Sequence, residues 1–305
     1  MKRDVKQSNK VILVLGGRGF IGRHVVDTLR NRGHRVVVGS RYAGQDGETL
    51  KVPFHLQANQ AAIVKQLSRF DVVINAVGIL RERWGETYDL IHHRFVEQLA
   101  NACAKHHIRF IHVSVLGLHN TFQSRFLTSK RLGETAIKKA GGDFIIVRPS
   151  LIDGQGGYGA KWFRRVAKWP FHFLPSNARG VLAPIHVLDL AMAIAVLSEN
   201  KDILGGDRIV ELGGRDRLTT FEYLALLRGK PPVATFRIPA WIARLFAHVC
   251  DCLHLTPLSF GHYELLKFDN VPNINRLTDL IGTKPRELGV ESVNGKLGWG
   301  GAYVA

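Results

Sequence analysis

The sequence has few cysteines and no long apolar run. Its three cysteines, Cys103, Cys250 and Cys252, cannot form a disulfide framework, because Cys250 and Cys252 stand too close together on a predicted helix to be bridged. No apolar stretch reaches the roughly 18 residues of a membrane-spanning helix. The polar start, Met1 to Lys10, lacks the apolar segment of a secretory signal. These absences predict a protein of the reducing cytoplasm.

Acidic residues are scarce, and 25 of them against 42 Lys and Arg give a formal net charge of +17. The excess lies mainly before residue 150, where 24 basic residues accompany 11 acidic ones. The basic residues are dispersed and form no recognised nucleic-acid module, which argues against nucleic acid as a partner. The positive charge is explained at least as well by binding of an anionic cofactor, or by peripheral attachment of the protein to the anionic inner face of a membrane.

One glycine-rich stretch predicts a dinucleotide site. The apolar run Val11 to Leu15 has strand length, and helical periodicity begins at Ile21. Between them stand Gly16, Gly17, Arg18, Gly19, Phe20, Ile21 and Gly22. The first glycine permits a tight turn, the second lets a pyrophosphate approach the backbone, and the third lets the helix lie close to the strand. The start of that helix offers unpaired N–H groups to the phosphates.

The next strand favours NADP(H) over NAD(H). Arg35 to Gly39 reads as a second strand, whose end faces the adenosine ribose in a Rossmann half. An acidic residue there would bind the 2′-hydroxyl of NAD, but this chain has Arg41, with Arg18 in the neighbouring turn. Guanidinium groups suit a 2′-phosphate. NAD(H), with Arg41 as a solvated surface residue, is the alternative.

Strand-like and helix-like segments then alternate with short connections. The predicted strands are Val52 to Leu56, Asp71 to Gly78, Phe110 to Ser114 and Phe144 to Arg148, and the predicted helices are Ala61 to Leu67, Thr87 to Lys105 and one from about Ser124. This alternation predicts an α/β fold with a Rossmann-type, doubly wound parallel sheet. Residues 1–150 would form the NADP-binding domain, joined by segments near 180–200. Residues 151–305 would mainly form a small C-terminal α/β appendage on the substrate side.

Two segments of the second half suggest contact surfaces. Between Lys161 and Phe173, aromatic rings alternate with cations, which suits a membrane interface or the mouth of an apolar pocket. An amphipathic helix that buries these rings is the alternative. Pro239 to Leu253 is strongly apolar along a predicted helix and suits either the core or a second contact surface. The histidines near residues 92 and 106 are adjacent in pairs rather than one turn apart, so no metal site is predicted.

The glycine turn, Ser114 at a strand end, Arg148-Pro149-Ser150 and the segment Pro184 to Ala191 resemble the extended short-chain dehydrogenase/reductase superfamily. A narrower likeness lies in Gly78-Ile79-Leu80, Tyr88 to His92, Ser129 to Glu134 and Leu265 to Val271. These segments are similar to an atypical branch that includes the nucleotide-binding accessory subunit of respiratory complex I and its bacterial relatives. The resemblance extends from about residue 10 to about residue 290.

The resemblance implies the site residues and exposes one departure. Active members carry a tyrosine four residues before a lysine; the lysine lowers the pKa of the tyrosine, which exchanges a proton with the substrate. Here Lys130 is present, but Phe126 stands at the tyrosine position. Ser114 and Lys130 are the remaining catalytic candidates, or they serve only structure and cofactor binding. The cofactor contacts expected are Gly16, Gly17, Arg18, Gly19, Phe20, Ile21, Gly22, Arg41, Ala76, Val77, Gly78, Val113, Lys130 and Pro149.

Two functions follow as expectations. The first is an NADP(H)-dependent oxidoreductase that reduces an apolar carbonyl or quinone-like molecule with a proton donor other than tyrosine. The second is a non-catalytic nucleotide-binding protein that supports a respiratory or quinone-related assembly. The missing hydroxyl at Phe126 favours the second.

Overall fold

A seven-stranded parallel sheet forms the centre of the molecule. The computed structural model describes residues 9–40, 49–51, 66–119, 121–230, 232–253 and 260–289. The strands of the sheet are β1 (Val11–Leu15), β2 (Arg35–Ser40), β3 (Thr49–Lys51), β4 (Val72–Asn75), β5 (Arg109–Val113), β6 (Phe144–Pro149) and β11 (Ile209–Leu212). Their order is β11-β6-β5-β4-β1-β2-β3, and all neighbours run parallel. The chain reverses direction of winding at β1, so the predicted Rossmann-type sheet is confirmed.

Helices cover both faces of this sheet. One apolar core joins it to α1 (Phe20–Asn31), α5 (Val187–Glu199) and α9 (Leu277–Ile281). The opposite core joins it to α2 (Phe95–Lys105) and α3 (Arg125–Ala140). Because both faces are covered, β1 and β4 are apolar at nearly every position rather than at alternate ones.

The helix predicted from Thr87 to Lys105 differs in its first part. Residues Asp89–Arg94 form a π-helical turn that leads into α2. A π-turn inserts one residue into the helical spacing, and such turns cluster at functional sites. Here it turns the ring of His92 toward α3, as described below. The predicted third strand and the helix after it lie mostly in residues 52–65, outside the described part of the chain.

The second half adds a small unit beside the carboxyl end of the sheet. Its elements are β7 (Ile152–Asp153), α4 (Tyr158–Ala167), β8 (Phe171–Pro175), β9 (Val181–Leu182), β10 (Ile185–His186), β12 (Leu218–Thr219), α6 (Thr220–Arg228), β13 (Ala234–Ile238), α7 (Ala240–Leu253) and α8 (Phe260–Leu265). Its core packs α4 against α6 around Tyr223 and Leu224. Thr219 and Glu222 begin α6 with a capping box. None of the helices described is long and apolar enough to cross a membrane.

One glycine fixes the distance between α3 and the π-turn. A Cβ at Gly133 would lie 2.1 Å from the carbonyl oxygen of His92, a backbone atom that cannot move aside alone. This close approach brings the α3 face that carries Lys130 against the end of β4.

Gly133→Ala should therefore force α3 away from the π-turn. Such overpacking costs about 1–3 kcal/mol of unfolding free energy, measurable by urea denaturation. Gly159→Ala in α4 is the control, because a Cβ there meets nothing within 4 Å. The control should be neutral or gain up to about 1 kcal/mol from helix propensity. Equal stability of the two variants would contradict the packing argument.

Candidate functional site

The glycine turn between β1 and α1 forms a cradle that side chains would fill. Gly16 has a φ of +75°, and a Cβ on it would lie 3.0 Å from the carbonyl oxygen of Ala76 at the end of β4. A Cβ on Gly22 would lie 2.1 Å from the carbonyl oxygen of Gly16. Gly19 precedes α1 with no side-chain cap, so the first N–H groups of the helix remain available. These features fit a dinucleotide pyrophosphate.

A second glycine-rich loop lies against the start of α1. A Cβ on Gly156 would lie 1.9 Å from the Arg23 guanidinium, and a Cβ on Gly157 would lie 2.8 Å from the Phe20 ring. The Nη2 of Arg23 donates a hydrogen bond to the carbonyl oxygen of Gln155 at 2.6 Å. The loop that leads into α4 is therefore held beside the phosphate cradle. The sequence alone did not reveal this contact, since the partners lie more than a hundred residues apart in the chain.

Of the two arginines expected near the ribose, only Arg18 lies in the described part of the chain. Arg18 is exposed in the turn, and its Nη2 donates to Oγ1 of Thr49 on β3 at 3.5 Å. Arg41 lies outside the described residues. The binding of a 2′-phosphate therefore stays a prediction.

Asn75 and His92 fix the loop that follows β4. Asn75 is fully buried, and its Oδ1 accepts a hydrogen bond from the N–H of Val77 at 3.1 Å. Two residues later, the N–H of Ile79 donates to Nε2 of His92 at 3.1 Å. The predicted cofactor residues Ala76, Val77 and Gly78 lie between these two anchors.

The ring of His92 is neutral and fully engaged. Burial lowers its pKa well below the usual range, and Lys130 adds to the effect. Because Nε2 accepts from Ile79, the ring proton is on Nδ1, which lies 3.1 Å from Oγ of Ser129. That hydroxyl in turn donates to the carbonyl oxygen of Phe126 at 2.9 Å. This chain of hydrogen bonds joins the π-turn to α3, a role that the sequence did not reveal.

Lys130 and Phe126 lie together at the carboxyl end of β4. The Nζ of Lys130 is 5.6 Å from the centre of the Phe126 ring and would lie 4.0 Å from a Cβ on Gly78. Burial lowers the pKa of Lys130 to about 8, although the Glu134 carboxylate acts in the opposite direction. The structure thus brings the predicted Lys130 to the predicted loop residue Gly78.

The Phe126 ring is enclosed by other rings. Tyr88 and His92 lie edge-on to it at centroid distances of 5.5 Å each, and His262 of α8 stacks on it at 5.7 Å. The hydroxyl of Tyr88 donates to the carbonyl oxygen of Leu80 at 2.9 Å. Phe126 is therefore part of an apolar cluster.

Ser114 lies at the end of β5, as predicted, but its hydroxyl has a specific partner. It donates to Oε1 of the buried Glu134 at 2.6 Å. Arg148 on β6 binds both oxygens of the same carboxylate, at 3.0 and 2.5 Å. This network explains the burial of Glu134, since a buried carboxylate needs a cation and hydrogen-bond donors. The sequence carried Glu134 only as part of a motif, because its partners are distant in the chain.

The remaining predicted contacts lie at neighbouring strand ends. Val113 and Pro149 are the last residues of β5 and β6. Just beyond them, Oγ of Ser150 donates to the backbone oxygen of Asn270 at 2.6 Å, and Nδ2 of Asn270 donates to the carbonyl oxygen of Leu116 at 2.9 Å. The Asn270 segment singled out in the sequence thus joins the ends of two strands.

The basic aromatic segment is divided between core and surface. Phe163 packs on the Tyr223 ring at 5.5 Å, and Nη1 of Arg164 pairs with the buried Asp153 at 2.5 Å. Trp169, Phe171 and Phe173 are exposed. The core interpretation therefore holds for Phe163 and Arg164, while a membrane or pocket contact of the exposed rings stays a prediction. Among the residues described, no three His, Cys, Asp or Glu side chains are grouped as metal ligands.

Solved structures share this fold. A nucleoside-diphosphate-sugar epimerase from Staphylococcus aureus matches with a TM-score of 0.71 and 15% identity, covering 92% of this chain and 99% of that chain. The UDP-glucose 4-epimerase of Thermus thermophilus, in complex with NAD, matches with a TM-score of 0.62 and 18% identity, covering 93% and 96%. These likenesses concern the fold alone.

Two kinds of curated protein are similar in sequence. The mitochondrial NADH dehydrogenase [ubiquinone] 1 alpha subcomplex subunit 9 of Arabidopsis thaliana is 30% identical over 233 residues, which cover 72% of this chain and 58% of that protein. The chain thus spans less than two thirds of that subunit. The ceramide reductase of Caulobacter vibrioides is 27% identical over 289 residues, or 90% of each chain.

A family model matches residues 12–213, from the second residue of β1 to just beyond β11. The match covers the glycine cradle, Ser114, Lys130 and the whole seven-stranded sheet apart from one residue. The resemblance inferred from the sequence is thereby confirmed. This chain belongs to the NAD dependent epimerase/dehydratase family.

Proposed function

We propose that the protein reduces the carbonyl group of an apolar, lipid-like or quinone-like molecule with NADPH. The observation that carries this proposal is the position of Lys130, whose Nζ lies beside Gly78 and over the Phe126 ring at the edge where the glycine cradle opens. When bound, the reduced dinucleotide supplies the hydride to the carbonyl carbon. The chain then has to supply the proton that converts the oxygen into a hydroxyl.

Lys130 is the group in this arrangement that is suited to give that proton. Phe126 has none, and the hydroxyl of Ser114 directs its proton to Glu134 at 2.6 Å. His92 is neutral, and both of its ring nitrogens are engaged. The lowered pKa of Lys130, about 8, leaves its ammonium acidic enough to donate near neutral pH and to be reprotonated from water. Ser114 then offers an oxygen lone pair that orients the product hydroxyl.

The surroundings of Phe126 support an apolar substrate. The cluster there combines Tyr88, Phe122, Phe126 and Leu127 with partly buried aliphatic side chains. A charged or sugar-like substrate would lose its hydration against such walls without gaining hydrogen bonds. The end-to-end similarity to a ceramide reductase, 90% of each chain, agrees with a carbonyl on a long apolar molecule.

A second function is favoured by two observations. A curated subunit of complex I is 30% identical to this chain. In addition, Phe126 stands where the superfamily resemblance implies a tyrosine. A protein that binds NADPH without turnover, as a stabilising or sensing part of a respiratory assembly, would need the glycine cradle but no proton donor. The reductase requires Lys130 to give up a proton in each turnover, whereas the binding protein does not.

NADPH preference is the first prediction. Arg41→Ala should weaken NADPH binding about ten- to a hundredfold in calorimetric titration and leave NADH binding nearly unchanged, because a charge-assisted phosphate contact is lost. Arg35→Ala is the matched control, since Arg35 is exposed at the opposite end of β2. Equal losses for both cofactors would contradict the 2′-phosphate assignment.

The pH dependence of turnover tests Lys130. With a pKa of about 8, Nζ is protonated below that pH and neutral above it, so the reduction rate should fall as pH rises through about 8. Lys130→Arg keeps the charge at every pH and should still bind NADPH, as followed by nucleotide fluorescence. Its turnover should drop about 10²–10⁴-fold and lose the inflection. A wild-type inflection retained in Lys130→Arg would assign the proton to another group.

A hydroxyl restored at position 126 separates the two functions. Phe126→Tyr should raise NADPH oxidation with apolar ketones and quinones and change NADPH affinity little, because Lys130 lies one turn further on. Phe122→Tyr, in the same buried cluster, controls for the added hydroxyl. If wild type and Phe126→Tyr both bind NADPH and neither turns over any of these substrates, the assembly role gains and the reductase proposal fails.

A further inference from the structure

The helix α7 has its large apolar side chains on the outside. Its buried positions are Ala243, Ala247 and Cys250, while Trp241 is 70%, Leu245 59% and Phe246 57% exposed. A helix on the surface of a globular protein normally buries its large apolar residues and exposes polar ones. The reversed arrangement on α7 therefore indicates a surface that is covered when the protein is at work.

The pair of strands next to α7 shows the same reversal. β8 and β13 run parallel, and along β8 the side chains alternate between buried and exposed. His172 and Leu174 point inward, whereas Phe171 and Phe173 point outward. Outside, the ring of Phe236 on β13 stacks on Phe173 at a centroid distance of 5.4 Å. We refer to the exposed side chains of Trp241, Leu245, Phe246, Phe171, Phe173 and Phe236 as the apolar surfaces of α7 and β8–β13.

The charged residues in the segments that carry these surfaces are mostly basic. Residues 154–188 contain five Lys and Arg, residues 223–250 contain four, and neither segment contains an acidic residue. The exposed cations of these segments include Lys161, Arg165, Lys168, Arg237 and Arg244. A second copy of the chain would bring the same positive charges to the interface and be repelled. An anionic bilayer complements them, and aromatic rings with Arg and Lys are the side chains enriched at membrane interfaces.

We propose that the apolar surfaces of α7 and β8–β13 dock on an anionic lipid bilayer, with the rings in the interface and the surrounding cations on the head groups. The docking stands independently of catalysis. The proposed surface takes in Phe171 and Phe173 of the basic aromatic segment and the apolar helix expected from Pro239 to Leu253, whereas Phe163 and Arg164 of that segment lie in the core.

The docked surface lies one helix away from the candidate site. The buried side of α7 packs against Phe260 and Tyr263 of α8. From the same helix, His262 stacks on the Phe126 ring, and a Cβ on Gly261 would lie 3.0 Å from that ring. This step rests on the proposed reduction: the substrate is then a lipid that enters from the bilayer beside α8.

Vesicle flotation of the full chain tests the docking. Wild type should float with phosphatidylcholine vesicles that contain phosphatidylglycerol, less so as salt is raised, and little with pure phosphatidylcholine. Phe246→Ser and Trp241→Ser should each weaken the partition coefficient about tenfold, since each removes a ring from the interface. Arg237→Glu should weaken it more than about fivefold on anionic vesicles only.

Matched variants keep the test specific. Trp84→Ser removes a tryptophan that is fully exposed in the amino-terminal half, and Lys105→Glu reverses an exposed charge there; both should float like wild type. NADPH affinity and turnover of soluble carbonyls should stay unchanged in every variant, so a failed reductase assay leaves the docking result intact.

Three outcomes would overturn the proposal: no flotation of wild type, equal flotation with neutral vesicles, or equal losses in Trp84→Ser and Trp241→Ser. A dimer in sedimentation that Phe246→Ser abolishes would assign the surface to a second copy instead.

Discussion

A single buried carboxylate joins the helix of the candidate site to the sheet. Glu134 on α3 accepts hydrogen bonds from the hydroxyl of Ser114 at the end of β5 and from the guanidinium of Arg148 on β6. The Arg148 guanidinium also lies 3.6 Å from the carboxylate of Glu211 on β11. Removal of one partner from a buried ion pair typically costs about 3–5 kcal/mol, because the other charge is left without compensation. Three strands and one helix therefore depend on this group for their mutual position. Lys130 is one turn earlier on the same face of α3, so the geometry of the site follows from the same contact.

The candidate site combines a glycine cradle with a lysine and an apolar cluster. The cradle of Gly16 and Gly22, the fixed loop after β4 and the lysine on α3 lie at one edge of the sheet, where an aromatic cluster surrounds Phe126. The hydrogen-bond chain from Ile79 through His92 and Ser129 to the Phe126 carbonyl oxygen keeps α3 in place without help from any catalytic hydroxyl. The scaffold thus needs no hydroxyl at position 126, so Phe126 alone does not distinguish an enzyme from a binding protein.

Sequence patterns predicted what depends on local chemistry. The apolar runs of β1, β4, β5 and β6 and the glycine spacing before α1 specify strands, a turn and a helix within a few residues of each other. The rest depends on partners distant in the chain. Glu134 has its partners on strands before and after its own helix, and the π-turn at Asp89–Arg94 packs against Gly133, which is distant in the chain. Periodicity also cannot distinguish inside from outside: it identified the apolar helix α7, but not that Ala243 and Ala247 face the core while Phe246 faces outward.

The parallel sheet also has a consequence for how the chain folds as it is made. The core that covers β1 contains Val14, residues of α5 and Leu277, and the backbone N–H of Arg286 donates to the buried Asp189 at 2.7 Å. About 260 residues separate Val14 from Leu277. At the usual rate of translation, Leu277 is synthesised tens of seconds after β1, so the core around β1 remains incomplete for that time. During that interval α1 covers only part of this face of the nascent sheet, and the rest stays open to water, which makes the unfinished chain prone to aggregation.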